Sequence, residues 1–120
     1  MRYVLILATA LLSPIAARAE GDADAGKTAF NKCSICHSIK EGENKIGPSL
    51  YGLIGRQSHS VPGYVYSEAM KKYDVTWDKD TLETYLVDPR KVVPGTKMIF
   101  PGLKNDAERS NVLAYSATLK

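Results

Sequence analysis

Cysteine is almost missing from this 120-residue chain: Cys33 and Cys36 are the only two. That excludes a disulfide framework, and no second C-x-x-C completes a four-cysteine zinc site. Histidine and methionine are nearly as scarce, with two and three residues respectively. Excess charge of either sign is also lacking, since 16 basic residues stand against 13 acidic ones for a formal net charge of +3. Such a balance argues against nucleic acid as a partner. Beyond residue 20 there is no long apolar run, no internal repeat and no low-complexity tract. No stretch keeps the period-two alternation of a half-buried strand, so the expected fold is all-α.

The one long apolar run lies at the start. Met1-Arg2 is followed by apolar Tyr3 to Leu12, a break at Ser13-Pro14, and a small-x-small site at Ala17-Arg18-Ala19. This pattern reads as a secretory signal peptide over residues 1–19, cleaved after Ala19. A membrane anchor needs about 20 apolar residues, which the run does not reach. The expected mature domain, residues 20–120, loses Arg2 and Arg18 but no acidic residue, so its net charge falls to +1. It is long enough for one small domain.

What is present is concentrated in Cys33-Ser34-Ile35-Cys36-His37. C-x-x-C-H is the attachment pattern of c-type haem. Two cysteines three apart on a helical turn can each form a thioether with a haem vinyl group, and the next histidine then lies under the iron. A bare C-x-x-C is shared with redox dithiols, but His37 and the lack of other cysteines favour haem. Attachment of this kind occurs outside the bacterial cytoplasm, in agreement with an exported, periplasmic protein.

Helix signals surround the motif. Asp22 is a good N-cap, and Gly26, Phe30, Cys33 and His37 fall at helical steps of four, three and four. Residues 38–66 hold seven glycines and prolines and read as loop. A short helix is expected over Ser67 to Tyr73. A longer one starts at Asp78, has Leu82, Tyr85 and Leu86 on its inner face, and stops at Asp88 before Pro89. Asn105 and Glu108 form a capping-box pattern opening a last helix, with Val112, Tyr115 and Leu119 as its buried stripe.

Three side chains of the mature chain could supply a second iron ligand: Met70, Met98 and His59. Met98 follows Pro94-Gly95, which keep the backbone out of a helix and can present the sulfur at a fixed point. Met70 reads equally well as core packing, and His59, flanked by serines in a polar loop, as a solvated side chain.

The chain resembles the class I cytochromes c, soluble periplasmic proteins similar to mitochondrial cytochrome c. The resemblance spans nearly all of Gly21 to Tyr115. It is carried by Cys33 to His37, Gly47-Pro48-Ser49-Leu50-Tyr51-Gly52-Leu53-Ile54-Gly55-Arg56, Thr76-Trp77 and Pro94-Gly95-Thr96-Lys97-Met98-Ile99-Phe100. It implies a small cytochrome c fold, three main helices plus a short one with loops wrapped round one covalent haem c, and His37 and Met98 as the iron ligands. It further implies that the Pro48 carbonyl accepts from His37, that Tyr85 lies beside the Met98 sulfur, and that Thr96 lies near a propionate. Arg56, Tyr66 and Trp77 match positions that hold propionates. Phe100 would flank the haem edge, and Gly26, Phe30, Val112 and Tyr115 match a crossing of first and last helices. Met70 departs from the family, standing where mitochondrial relatives carry a buried asparagine.

With both axial positions filled, turnover at iron is disfavoured and one-electron shuttling is the expected role, not enzymatic catalysis. The resemblance implies a monomeric carrier. Its expected donor is a quinol–cytochrome c oxidoreductase, and its expected acceptor a terminal oxidase or a photosynthetic reaction centre. Docking would run through Lys32, Lys45, Arg90, Lys91, Lys97 and Lys104. Two other roles remain open to the sequence: a dedicated donor subunit of one dehydrogenase, and a haem enzyme or ligand binder should Met98 not ligate.

Overall fold

A computed structural model describes residues 21–120, so the expected signal peptide lies outside the described residues. Six helical segments follow one another: α1 (Ala23–Ala29), α2 (Asn31–Ser34), α3 (Glu68–Lys72), α4 (Lys79–Val87), α5 (Pro89–Val92) and α6 (Asp106–Ser116). Among the described residues the only β feature is an isolated antiparallel bridge between Gln57 and Thr76. The all-α expectation therefore holds, with α1, α4 and α6 as the longest elements.

Local chemistry sets the helix ends as the sequence suggests. The carboxylates of Asp22 and Asp78, the Ser67 hydroxyl and the Asn105 amide oxygen each accept a backbone N–H of the first turn that follows. Two details differ. Asp88 ends α4 but its side chain also accepts from Lys91 N, with Pro89 at the first position, so one helical turn follows immediately. The capping box is only half formed. Asn105 Oδ1 accepts from Glu108 N at 2.9 Å, whereas the Glu108 carboxylate reaches across to Lys32 Nζ.

Helices α1 and α6 cross at close range. A Cβ built on Gly26 would lie 1.8 Å from the Asn111 carbonyl oxygen, so glycine alone permits this approach. Asn111 Oδ1 accepts from Asp22 N at 2.8 Å. Phe30 packs edge-on against Tyr115 with ring centroids 5.1 Å apart. Phe30, Leu103 and Val112 form one buried cluster there; Leu53, Trp77, Leu82, Tyr85, Val93 and Leu113 form another. Tyr115 and Leu119 are only partly covered, and α6 instead buries Arg109, Leu113 and Ser116 beside Val112. Arg109 is neutralised where it lies: it donates to Glu83, Asp106 and the Leu103 carbonyl, joining α4, α6 and the preceding loop.

Candidate cofactor site

Between these clusters the loops enclose an apolar cavity of about 640 Å³. That is within the range of small-molecule and cofactor sites. All ten residues expected at the site line it: Cys33, Cys36, His37, Pro48, Arg56, Tyr66, Trp77, Tyr85, Thr96 and Met98. Leu50, Leu53, Leu82, Leu86 and Leu113 supply much of the remaining wall.

The attachment motif closes one end of α2 as a continuing turn, with Cys36 N and His37 N both donating to the Cys33 carbonyl. Both thiols are unpaired and half-buried. Burial pushes the Cys33 thiol up to about 11, against a smaller opposing pull from Lys32. The thiols thus face an apolar space and not each other as a disulfide, which fits the chemistry of thioether attachment.

His37 is held by one short hydrogen bond. Its Nδ1 lies 2.7 Å from the Pro48 carbonyl oxygen. A carbonyl can only accept, so Nδ1 carries the proton and Nε2 keeps its lone pair. Burial holds the imidazole below its usual range, partly opposed by the Pro48 hydrogen bond, and Arg56 and Lys45 lower it further. A neutral ring with one nitrogen fixed as donor is the form that binds a metal. Gly47 lies flat against this ring, and a Cβ there would come within 2.3 Å of Cε1.

Met98 is held from two sides. Its backbone N–H donates to Thr96 Oγ1 at 3.2 Å, and Tyr85 donates its hydroxyl to the sulfur at 3.3 Å. The turn before it is set by Thr96 N donating to Val93 O and by Gly95 at φ 89°. Burial, with Tyr73 nearby, pushes the Tyr85 phenol up to about 12, so it stays a neutral donor.

The polar corner of the cavity contains Arg56, Tyr66 and Trp77. Arg56 Nη1 donates to the carbonyls of Ser49 and Tyr51, both at 2.9 Å. The Tyr66 oxygen accepts from Val61 N, which leaves its own proton to donate. Trp77 is buried against Tyr73 and Tyr85.

One expectation is corrected here. His59 is not a freely solvated loop side chain but half-buried on the cavity wall, with Nε2 covered and without a hydrogen-bond partner. The polar sequence around it gave no sign of this, because the burial comes from the distant Tyr66 and Asp74 segments. Met70 also lines the cavity, packed on the cluster containing Trp77 and Tyr85.

At the mouth, Ile35, Ile46 and Ile99 are each more than two-thirds exposed. Lys32 and Lys97 line the same opening. Lys97 lies 4.6 Å above the Tyr64 ring and donates to the Val65 carbonyl. Lys45 donates to the Ser34 carbonyl at 2.8 Å, Lys104 to that of Val87, and Arg90 and Lys91 are exposed on α5.

Comparison with known proteins agrees with this arrangement. The family model described as cytochrome c matches residues 23–120. Cytochrome c2 of Rhodoplanes tepidamans is 50% identical over 95 residues, covering 78% of this chain and 89% of that protein. Cytochrome c-550 of Nitrobacter winogradskyi is 52% identical over 96 residues, covering 79% and 88% respectively. Among solved structures, cytochrome cH from Methylobacterium extorquens superposes with a TM-score of 0.78 at 42% identity, over 82% of this chain and 99% of that one.

Proposed function

The chain belongs to the cytochrome c family, and on that premise we propose that it is a soluble periplasmic one-electron carrier with His37 and Met98 as its iron ligands. The family binds haem c covalently through C-x-x-C-H, here Cys33, Cys36 and His37. When bound, the haem iron accepts and returns one electron. The protein's residues do the rest. Pro48 fixes the His37 tautomer, and Tyr85 and Thr96 position the methionine sulfur. Arg56, Tyr66, Trp77 and Thr96 would hold the propionates, and the leucines would exclude water. A neutral thioether ligand in an apolar cavity favours the ferrous state and raises the potential.

The observation that carries this reading is the convergence of all ten residues on one cavity, with the His37 ring held by its 2.7 Å bond to Pro48. Electrons would arrive from a quinol–cytochrome c oxidoreductase and leave to a terminal oxidase or a photosynthetic reaction centre. Lys32, Lys45, Arg90, Lys91, Lys97 and Lys104 would meet acidic partners around the exposed isoleucines.

An absorption spectrum of the matured protein, oxidised and then reduced, tests the proposal. The expected result is a thioether-type haem spectrum with the weak far-red band of methionine–ferric ligation. Haem without that band, together with rapid carbon monoxide binding by the reduced protein, would instead mark a ligand binder. A stable complex with one dehydrogenase on purification would mark a dedicated donor subunit.

A further inference from the structure

The loop that carries Met98 has almost no backbone support of its own. From Lys97 to Gly102, among the described residues, the one backbone group in a hydrogen bond is Met98 N–H, which donates to Thr96 Oγ1 in the same turn. Side chains must therefore hold this loop in place. From inside, the Tyr85 hydroxyl reaches the sulfur. From outside the tie is Lys97, whose ammonium donates to the Val65 carbonyl and lies 4.6 Å above the Tyr64 ring, within cation–π range. The loop on the His37 side is anchored more firmly. Gly47 N–H donates to the Cys36 carbonyl, Gly47 O accepts from Lys45 N–H, and the Pro48 carbonyl meets the His37 ring.

Tyr64 is in contact with both loops. Its hydroxyl donates to the Ile46 carbonyl at 2.8 Å, one residue before Gly47, while its face receives Lys97, one residue before Met98. Two further contacts steady the ring. Tyr66 stands edge-on to it with centroids 4.8 Å apart, and Asn44 Nδ2 donates to the Pro62 carbonyl at 3.1 Å, tying the same segment to the loop on the His37 side. A phenol suits this position because its hydroxyl and its π-face can be used at once. We propose that Tyr64 is a positioning residue for the iron ligand Met98, fastening its loop through Lys97 to the loop that orients His37. The proposal rests on the His37–Met98 reading above and extends it to a side chain outside the ligand set.

The test compares matured wild type with Tyr64→Phe, Tyr64→Leu, Lys97→Leu and the Tyr64→Phe/Lys97→Leu double variant. Each ferric protein is titrated with imidazole, which competes with Met98 for the iron, and loss of the far-red band gives the apparent affinity. Tyr64→Phe keeps the ring under Lys97 but cuts the bond to Ile46, so imidazole binds about two- to tenfold more tightly. Tyr64→Leu also removes the ring face and exceeds that gain. In the Lys97→Leu background Tyr64→Phe adds no more than about twofold, because the connection to Met98 is already cut. Wild-type imidazole affinity in Tyr64→Phe would overturn the proposal, even with a lowered urea midpoint by circular dichroism. So would an undiminished Tyr64→Phe effect in the Lys97→Leu background, which would mark a merely local structural role. A wild-type ferric protein without the far-red band would instead defeat the His37–Met98 reading, so the two failures are distinct.

Discussion

Replacing Gly47 by alanine perturbs the proximal side of the site while leaving both candidate ligands in the sequence. The added Cβ would fall 2.3 Å from His37 Cε1, 2.6 Å from Nδ1 and 2.9 Å from Nε2. Ordinary carbon contacts begin near 3.5 Å, so the ring and the loop must separate by about 1 Å. The loop cannot simply back away, because Gly47 N donates to the Cys36 carbonyl at 2.8 Å and Gly47 O accepts from Lys45 N at 2.9 Å. The ring must therefore move, and its 2.7 Å bond to Pro48 stretches out of hydrogen-bond range. Losing an outer-shell partner of a metal-bound histidine costs about 10–100-fold in metal affinity or activity. The expected outcome for Gly47→Ala is a folded holoprotein, by circular dichroism, whose potential and Soret band are both altered. It should also lose its far-red band at lower denaturant concentration than wild type. A variant with wild-type spectrum, potential and denaturation midpoint would show that the ring is not constrained by this contact.

Gly26→Ala places a Cβ 1.8 Å from the Asn111 carbonyl oxygen, forcing α1 and α6 apart; overpacking of this kind costs about 1–3 kcal/mol or more, read as a lower urea midpoint. Phe30→Ala removes a ring that is only 3% exposed and should cost about 3–5 kcal/mol by the same assay. Tyr85→Phe keeps the packing but removes the donor to the Met98 sulfur, so the potential shifts by no more than the roughly 0.5–1.5 kcal/mol of one hydrogen bond. Electron transfer to an acidic partner should slow steeply as ionic strength rises; a flat dependence would refute lysine steering.

How far the sequence revealed this molecule depended on the range of each interaction. The helix caps at Asp22, Asp78 and Asn105 were legible because an N-cap is decided within about three residues. The C-x-x-C-H motif was legible for the same reason, since one helical turn sets the geometry of its residues. Local signals only favoured Met98 over Met70 and His59, and its place as the candidate ligand rests on the ordered resemblance along the chain. The one-turn α5 escaped because Pro89, a reliable stop for the preceding helix, is also a good first residue for the next.

Glu108 and His59 fail in a more instructive way, because each was assigned the partner that sequence neighbours offer. The capping box gives Glu108 a backbone N–H three residues away, yet the folded chain brings it Lys32, 76 residues distant. A charged donor outcompetes a neutral one wherever both are in reach. His59 looked solvated because serines flank it, yet the chain returns at Tyr66 and Asp74 to cover it. In both cases residue type correctly stated the chemistry available, a carboxylate seeking donors and an imidazole able to give a proton. What it could not state was the occupant of the facing position. For Glu108 that occupant is a lysine of the chain itself. For His59 it is the Asp74 carboxylate, 3.4 Å from Nε2, which only the fold brings against the ring.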